Sequence, residues 1–167
     1  MSVARVIVRP GLWAIVMSLL LSSCSSPQSD PRLHGSAVER LRPLTSPLAE
    51  PSTRRTVYVP VYSSIYWGVD TRETLVDLAA TVSIRNVSSR YPVVIESVRY
   101  YDSNGKQIRE YIEKPGELGP FASVEFVVQR DDKSGGPGAN FLIRWAAASE
   151  ADEPLIEAIM VGQNKCV

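Results

Sequence analysis

Residues 76–85, VDLAATVSIR, decide the fold. Val76, Leu78, Ala80, Val82 and Ile84 share one parity, and Asp77, Ala79, Thr81, Ser83 and Arg85 share the other. A period of two is that of a strand with one face buried and one facing water. Further along, Leu118, Ala122, Val124, Phe126 and Val128 alternate with Ser123, Glu125 and Val127 in a second such strand. The segments TVYVPVY, VVIESVRYY, QIREYIE, NFLIRWAA and LIEAIMVG are each short, rich in β-branched or aromatic residues, and bounded by turn residues. About seven strands at near-regular spacing predict an all-β fold, an immunoglobulin-like antiparallel β-sandwich, with a small closed barrel as the alternative. The inter-sheet disulfide of antibody domains is not available, because this region holds only Cys166. Its core is therefore expected to rest on packing of Val82, Ile84, Val98, Val124, Phe126, Ile143 and Ile159.

The punctuation agrees with strands. Asp102-Ser103-Asn104-Gly105 signals a tight hairpin, since Asn and Gly tolerate positive φ. Lys114-Pro115-Gly116 reads as the next reversal, and Pro60, which cannot donate to a ladder, marks an edge strand or a bulge. Asp70-Thr71-Arg72-Glu73 is suited to cap one helical turn. Asn86-Val87-Ser88 matches a glycosylation acceptor pattern and is read as loop.

A chain of 167 residues with 18 basic and 18 acidic groups carries no net charge, so no long-range field gathers nucleic acid, and no nucleic-acid partner is expected. Ahead of the strands, Arg5 and Arg9 precede an apolar run, Gly11 to Leu21, that is too short and too interrupted to span a bilayer. This is the pattern of an export signal. Leu21-Ser22-Ser23-Cys24 resembles a bacterial lipobox, which implies a signal peptide over 1–23, cleavage before Cys24, and acylation (palmitate among the chains) of a mature N-terminal Cys24. Two or three acyl chains anchor a protein stably where one does not. Residues 24–55, with prolines at 27, 31, 43, 47 and 51, then read as a lipidated N-terminus and proline-rich tether, and 56–167 as the sandwich domain. The expected location is the bacterial cell envelope, membrane-attached through Cys24. By resemblance to enteric lipoprotein sorting, Ser25 points to the outer membrane, facing the periplasm. Cys166 becomes the odd thiol, either redox-active or an inert residue beside a terminal strand.

His34 is the only histidine and lies in the tether, so the domain lacks the usual base of Ser-His-acid and Cys-His catalysis and the usual ligand of zinc, copper and haem sites. No catalytic residue, metal or cofactor is assigned. Asp131-Asp132-Lys133-Ser134-Gly135-Gly136-Pro137-Gly138-Ala139-Asn140 offers oxygen ligands beside a glycine run, yet it fits neither the EF-hand nor the phosphate loop; a solvent-facing hairpin is the simpler reading. Tyr58, Tyr62, Tyr66 and Trp67, joined by Tyr100 and Tyr101, are suited either to stacking on sugars and proteins or to core and sheet-face cover.

The stretches TRETLVDLAATVSIRN, VRYYDSNGKQIREY and GGPGANFLIRWAA, with LIEAIMVG, resemble an uncharacterised bacterial domain-of-unknown-function family found in small lipoproteins, over most of Thr56 to Gly162. The resemblance implies a compact envelope domain and supplies no catalytic residue. The expectation is a non-enzymatic binding or structural accessory module that contacts an envelope protein or polymer. Its candidate surface is Tyr58, Tyr62, Tyr66, Trp67, Asp131, Asp132 and Asn140. The alternative is an envelope enzyme or small-ligand carrier using Asp and Glu groups on sandwich loops.

Overall fold

The computed structural model describes residues 37–44, 53–67 and 75–162. A short 3-10 turn, Ala37–Arg40, precedes ten strands: β1 (Arg42–Pro43), β2 (Thr53–Pro60), β3 (Ser64–Tyr66), β4 (Leu75–Arg85), β5 (Val93–Tyr101), β6 (Gln107–Glu110), β7 (Gly116–Leu118), β8 (Ser123–Val128), β9 (Asn140–Ala147) and β10 (Leu155–Gly162). All pairings are antiparallel. One sheet runs β1-β7-β5-β9-β2 with β6 also on β5, and the other runs β10-β4-β3 with β8 also on β4.

The two sheets pack face to face as an all-β sandwich, and the parity of β4 places its side chains as expected. Ala80, Val82 and Ile84 are buried against Val93, Ile95, Val98, Phe141, Ile143 and Trp145 of the facing sheet in one cluster, and Leu78 is buried on the same parity. Val124, Phe126 and Val128 of β8 join them. The central pairs β4–β8 and β5–β9 correspond to the B–E and C–F pairs of an immunoglobulin sandwich. The outer strands are exchanged relative to that pattern: the first long strand, β2, lies beside β9, and the last, β10, beside β4. The expected seven long segments are present, and β1, β3 and β7 are additions of two or three residues each.

Four expectations are corrected. Ile159 is 59% exposed, because the inward parity of β10 is the even one: Ile156, Ala158 and Met160 pack on the core. Leu118 is buried but belongs to β7 in the other sheet, the chain turning through Gly119 to Ala122 before β8 begins. Lys114-Pro115-Gly116 is no reversal, since β6 and β7 both run antiparallel to β5 along the same edge. Pro115 has no N–H for the ladder, so the chain leaves β5 after Tyr111 and rejoins it at Gly116. Within the stretch 24–55 read as tether, the described residues 37–44 and 53–55 belong to the folded unit. Leu41 is buried in the core cluster, β1 pairs with β7, and Thr53 to Arg55 open β2.

Other turn readings hold. Asp102 Oδ1 accepts from the N–H groups of Asn104 and Lys106 at 2.8 and 2.9 Å, and Gly105 alone takes the positive φ of the hairpin. Pro60 ends edge strand β2. Asn86 carries a structural load: its side-chain N–H groups face Tyr91 O, Leu118 O and Gly119 O at 2.9–3.1 Å, and its Oδ1 accepts from Ser88 N–H at 2.9 Å. Buried and fully used in this way, its amide is closed to modification in the folded state. The signal peptide, Cys24, His34, the Asp70–Glu73 turn and Cys166 lie outside the described residues.

Candidate functional site

Strand direction gives the sandwich two distinct ends. At one lie the β4–β5 loop and the β7–β8 corner; at the other lie the β2–β3 connection, the β5–β6 hairpin and the loop between β8 and β9. The second end holds a cleft of about 410 Å³ between β3, the start of β4 and the finish of β10. Among the described residues it is lined by Tyr62, Ile65, Trp67, Val76, Leu78, Met160 and Gly162. Gly162 lets β10 close on β4 here, since a Cβ would meet Leu78 Cδ2 at 2.7 Å and Val76 Cγ1 at 3.3 Å. Tyr62 and Trp67 stand at the cleft 41% and 59% exposed. Large aromatic surface is thus left in water beside an apolar groove, where a binding role would use it.

The glycine-rich loop braces the wall next to this cleft. Ser63 donates both its N–H and its hydroxyl to Gly136 O at 3.2 Å, and Val61 N–H donates to Ala139 O at 3.0 Å. On the hairpin side, Ser103 donates to Gly135 O and its hydroxyl accepts from Gly138 N–H, each at 2.9 Å. Lys133 pairs with Asp77 at 3.0 Å, between cleft residues Val76 and Leu78. Gly135 lies directly on the hydroxyl of Tyr100; any Cβ there would overlap it. That hydroxyl is buried without a hydrogen-bond partner. Burial raises the Tyr100 pKa above that of an ordinary phenol, tempered by the neighbouring Ser63 hydroxyl.

Asp132 is held within the loop. It accepts from Arg109 at 2.8 Å, from Ser134 N–H at 3.1 Å and from the Ser134 hydroxyl. Burial pushes its carboxyl up, but these hydrogen bonds from Ser134 and Arg109 outweigh that and leave it below the usual carboxylate range. Arg109 also lies over the Tyr111 ring at 5.4 Å, and the Tyr111 hydroxyl donates to Val127 O at 3.0 Å, tying the β6 edge to β8. Tyr111 packs edge-on to Phe126 and tilted on Phe141, and Tyr100 packs on Phe141 from the other side of the group. This aromatic cluster is the solid floor of the loop end.

The candidate residues divide accordingly. Tyr62 and Trp67 meet in the cleft, and Tyr66 is exposed beside them on β3. Tyr58 is exposed but lies opposite Leu142 on the outer face of the other sheet, apart from the cleft. Tyr100 is core and Tyr101 is half-buried. Asp131 is exposed, Asp132 is engaged by Arg109 and Ser134, and Asn140 is buried at the start of β9. Among the described residues no three His, Cys, Asp or Glu side chains converge as a metal site. Ile65, Val76, Leu78, Met160 and Gly162 complete the cleft without having been singled out as site residues; the one hint was a glycine ending a largely apolar strand.

The fold and cleft define a small antiparallel β-sandwich domain with an apolar, aromatic-flanked groove at one end. The chain belongs to the family of proteins of unknown function designated DUF3124, whose model matches residues 54–166. No curated protein and no solved structure matches it.

Proposed function

We propose that this protein is a membrane-anchored envelope lipoprotein, held through acylated Cys24, whose domain is a non-enzymatic module that binds an envelope protein or polymer at the Tyr62–Trp67 cleft. The observation that carries the reading is the exposure of both aromatics on an apolar groove. Tyrosine and tryptophan supply large contact area at low entropic cost, whether against a protein side chain or a sugar ring. Tyr62 is the one titratable side chain among the described residues lining the cleft, which favours binding over acid–base chemistry. The anchor is supported by the apolar run ending in Leu21-Ser22-Ser23-Cys24.

Two experiments test the reading. Mass spectrometry of the mature N-terminus is expected to find acylated Cys24, and an unmodified chain starting elsewhere rejects the anchor. Photo-crosslinking in the cell from position 62 is expected to yield a discrete adduct absent from position 104, on the β5–β6 hairpin. Equal, diffuse labelling from both positions rejects the cleft as the binding site.

A further inference from the structure

Among the described strands of six or more residues, β10 alone has no buried residue, although Leu155, Ile156, Ala158, Ile159, Met160 and Val161 make it mostly apolar. Its outward residues Leu155, Ile159 and Val161 are 49%, 59% and 63% exposed. The inward ones, Ile156, Ala158 and Met160, touch the core yet are only half-buried. A strand that packs on a core and still leaves its inner face half in water lacks a neighbour on its open side. Phe121 is also exposed, at a φ of 56° on the corner that Asn86 braces, but it stands in a turn with no ladder to offer.

β10 closes its sheet. Its one ladder partner among the described strands is β4, in an unbroken antiparallel register from Leu155 opposite Arg85 to Gly162 opposite Leu78. An edge of this kind presents a row of backbone donors and acceptors, and proteins normally blunt it with charge, proline, a bulge or cover. The other edges are blunted in these ways. β2 carries Arg54, Arg55 and Pro60. β8 is covered, with the Tyr111 hydroxyl on Val127 O and Arg40 on Glu125. β1, β3 and β6 are only two to four residues long. β10 has no proline, no basic residue and no bulge, and its single charge, Glu157, is neutralised by Arg85 at 2.9 Å.

The segment that completes such an edge is extended, apolar on both faces and nearly free of charge, and β10 itself meets that description. Antiparallel pairing with its own copy about Ala158 sets Leu155 opposite Val161 of the second copy, Ile156 opposite Met160, and Glu157 opposite Ile159. Inner faces stay with inner faces, the two Glu157 carboxylates are not opposed, and the residue that meets itself on the twofold axis is a small one. A twofold interface has to be complementary to itself, so a patch of one sign would repel its own copy. Around β10 the charges are closed in pairs, Arg85 with Glu157, Lys133 with Asp77 and Arg40 with Glu125.

We infer that β10 pairs edge to edge and antiparallel with β10 of a second copy of this chain, joining the two four-stranded sheets into one continuous sheet. The test uses two differently tagged full-length copies expressed in the same cells, with a photo-crosslinking residue in place of Ile159 or, as a control, of Tyr58, exposed on the outer face of the other sheet. Adducts carrying both tags are expected from position 159 at several times the yield from position 58. Leu155→Glu combined with Val161→Glu opposes like charges across the pair and should abolish the adduct, whereas Leu155→Glu combined with Val161→Lys opposes unlike charges and should recover most of it. Both positions are exposed in the single chain, so an unchanged urea midpoint checks that each variant folds. An adduct from position 159 that joins one tag to a different protein, a yield no higher than from position 58, or equal yields from the two charge combinations overturns the inference.

Discussion

Replacing Asn86 by alanine removes the brace of the Phe121 end and is expected to be among the most damaging single truncations of a polar side chain in this domain. The side chain serves four backbone groups, its Oδ1 accepting from Ser88 N–H and its two N–H groups shared among the carbonyls of Tyr91, Leu118 and Gly119. The bonds to Ser88 and Leu118 are fully buried, where water cannot substitute. A buried group left unpaired costs roughly 1–3 kcal/mol, so two of them put Asn86→Ala at about 2–6 kcal/mol. With a mid-range urea slope of ~2 kcal/mol per M, the midpoint falls by about 1–3 M. Fluorescence of buried Trp145 follows the transition. Asn86→Asp should be no remedy at neutral pH, because it keeps the acceptor for Ser88 but sets a carboxylate against three carbonyl oxygens. A midpoint change equivalent to less than about 0.5 kcal/mol in the alanine variant would refute this reasoning, since that is the scale of an ordinary surface substitution.

Leu41→Ala, which leaves the strands of residues 53–162 untouched, should lower stability by about 2–4 kcal/mol in the same urea assay if residues 37–44 belong to the core, and by almost nothing if they are only tether. Gly135→Ala should cost ~1–3 kcal/mol through overlap with the Tyr100 hydroxyl, and Tyr100→Phe, neutral or stabilising on its own, should recover most of that loss in the double variant, as a double-mutant cycle would read. Phe121→Gly should hold or raise the melting temperature, relieving about 1 kcal/mol of strain, whereas a structural role for the phenyl predicts a fall. The contribution of Asp132, whose folded pKa lies below the ordinary 3.8, is present above that pH and lost as pH falls through the lower folded value. An Asp132→Asn variant, compared by acid titration of stability, should therefore be less acid-sensitive in that window.

What could be read in advance depended on parity. β4 and β8 alternate cleanly, so Val82, Ile84, Val124 and Phe126 were assignable to the core. In β10, Leu155, Ile159 and Val161 on one parity compete with Ile156, Ala158 and Met160 on the other, and only the facing sheet decides between them. β1 is two residues in a proline-rich stretch, too short to show a period, so the burial of Leu41 was illegible. Lys114-Pro115-Gly116 carries turn chemistry, but the same residues serve a bulge, and the choice depends on the pairing of β5 on both sides. At the candidate site, the exposure of Tyr62 and Trp67 fits a binding role. Tyr58 could not be separated from them by sequence, because the chain passes from one sheet to the other between Pro60 and Ser64. Phe121 gave no warning, since a non-glycine residue in the left-handed region has no sequence signature here.

The central claim is that the Tyr62–Trp67 cleft binds an envelope partner, and it is tested most directly by photo-crosslinking in living cells from positions 67 and 104 of the same protein. Position 67 is predicted to label a discrete partner and position 104 none. Equal, diffuse labelling from both positions, or solvent-quenched products alone from position 67, would contradict it.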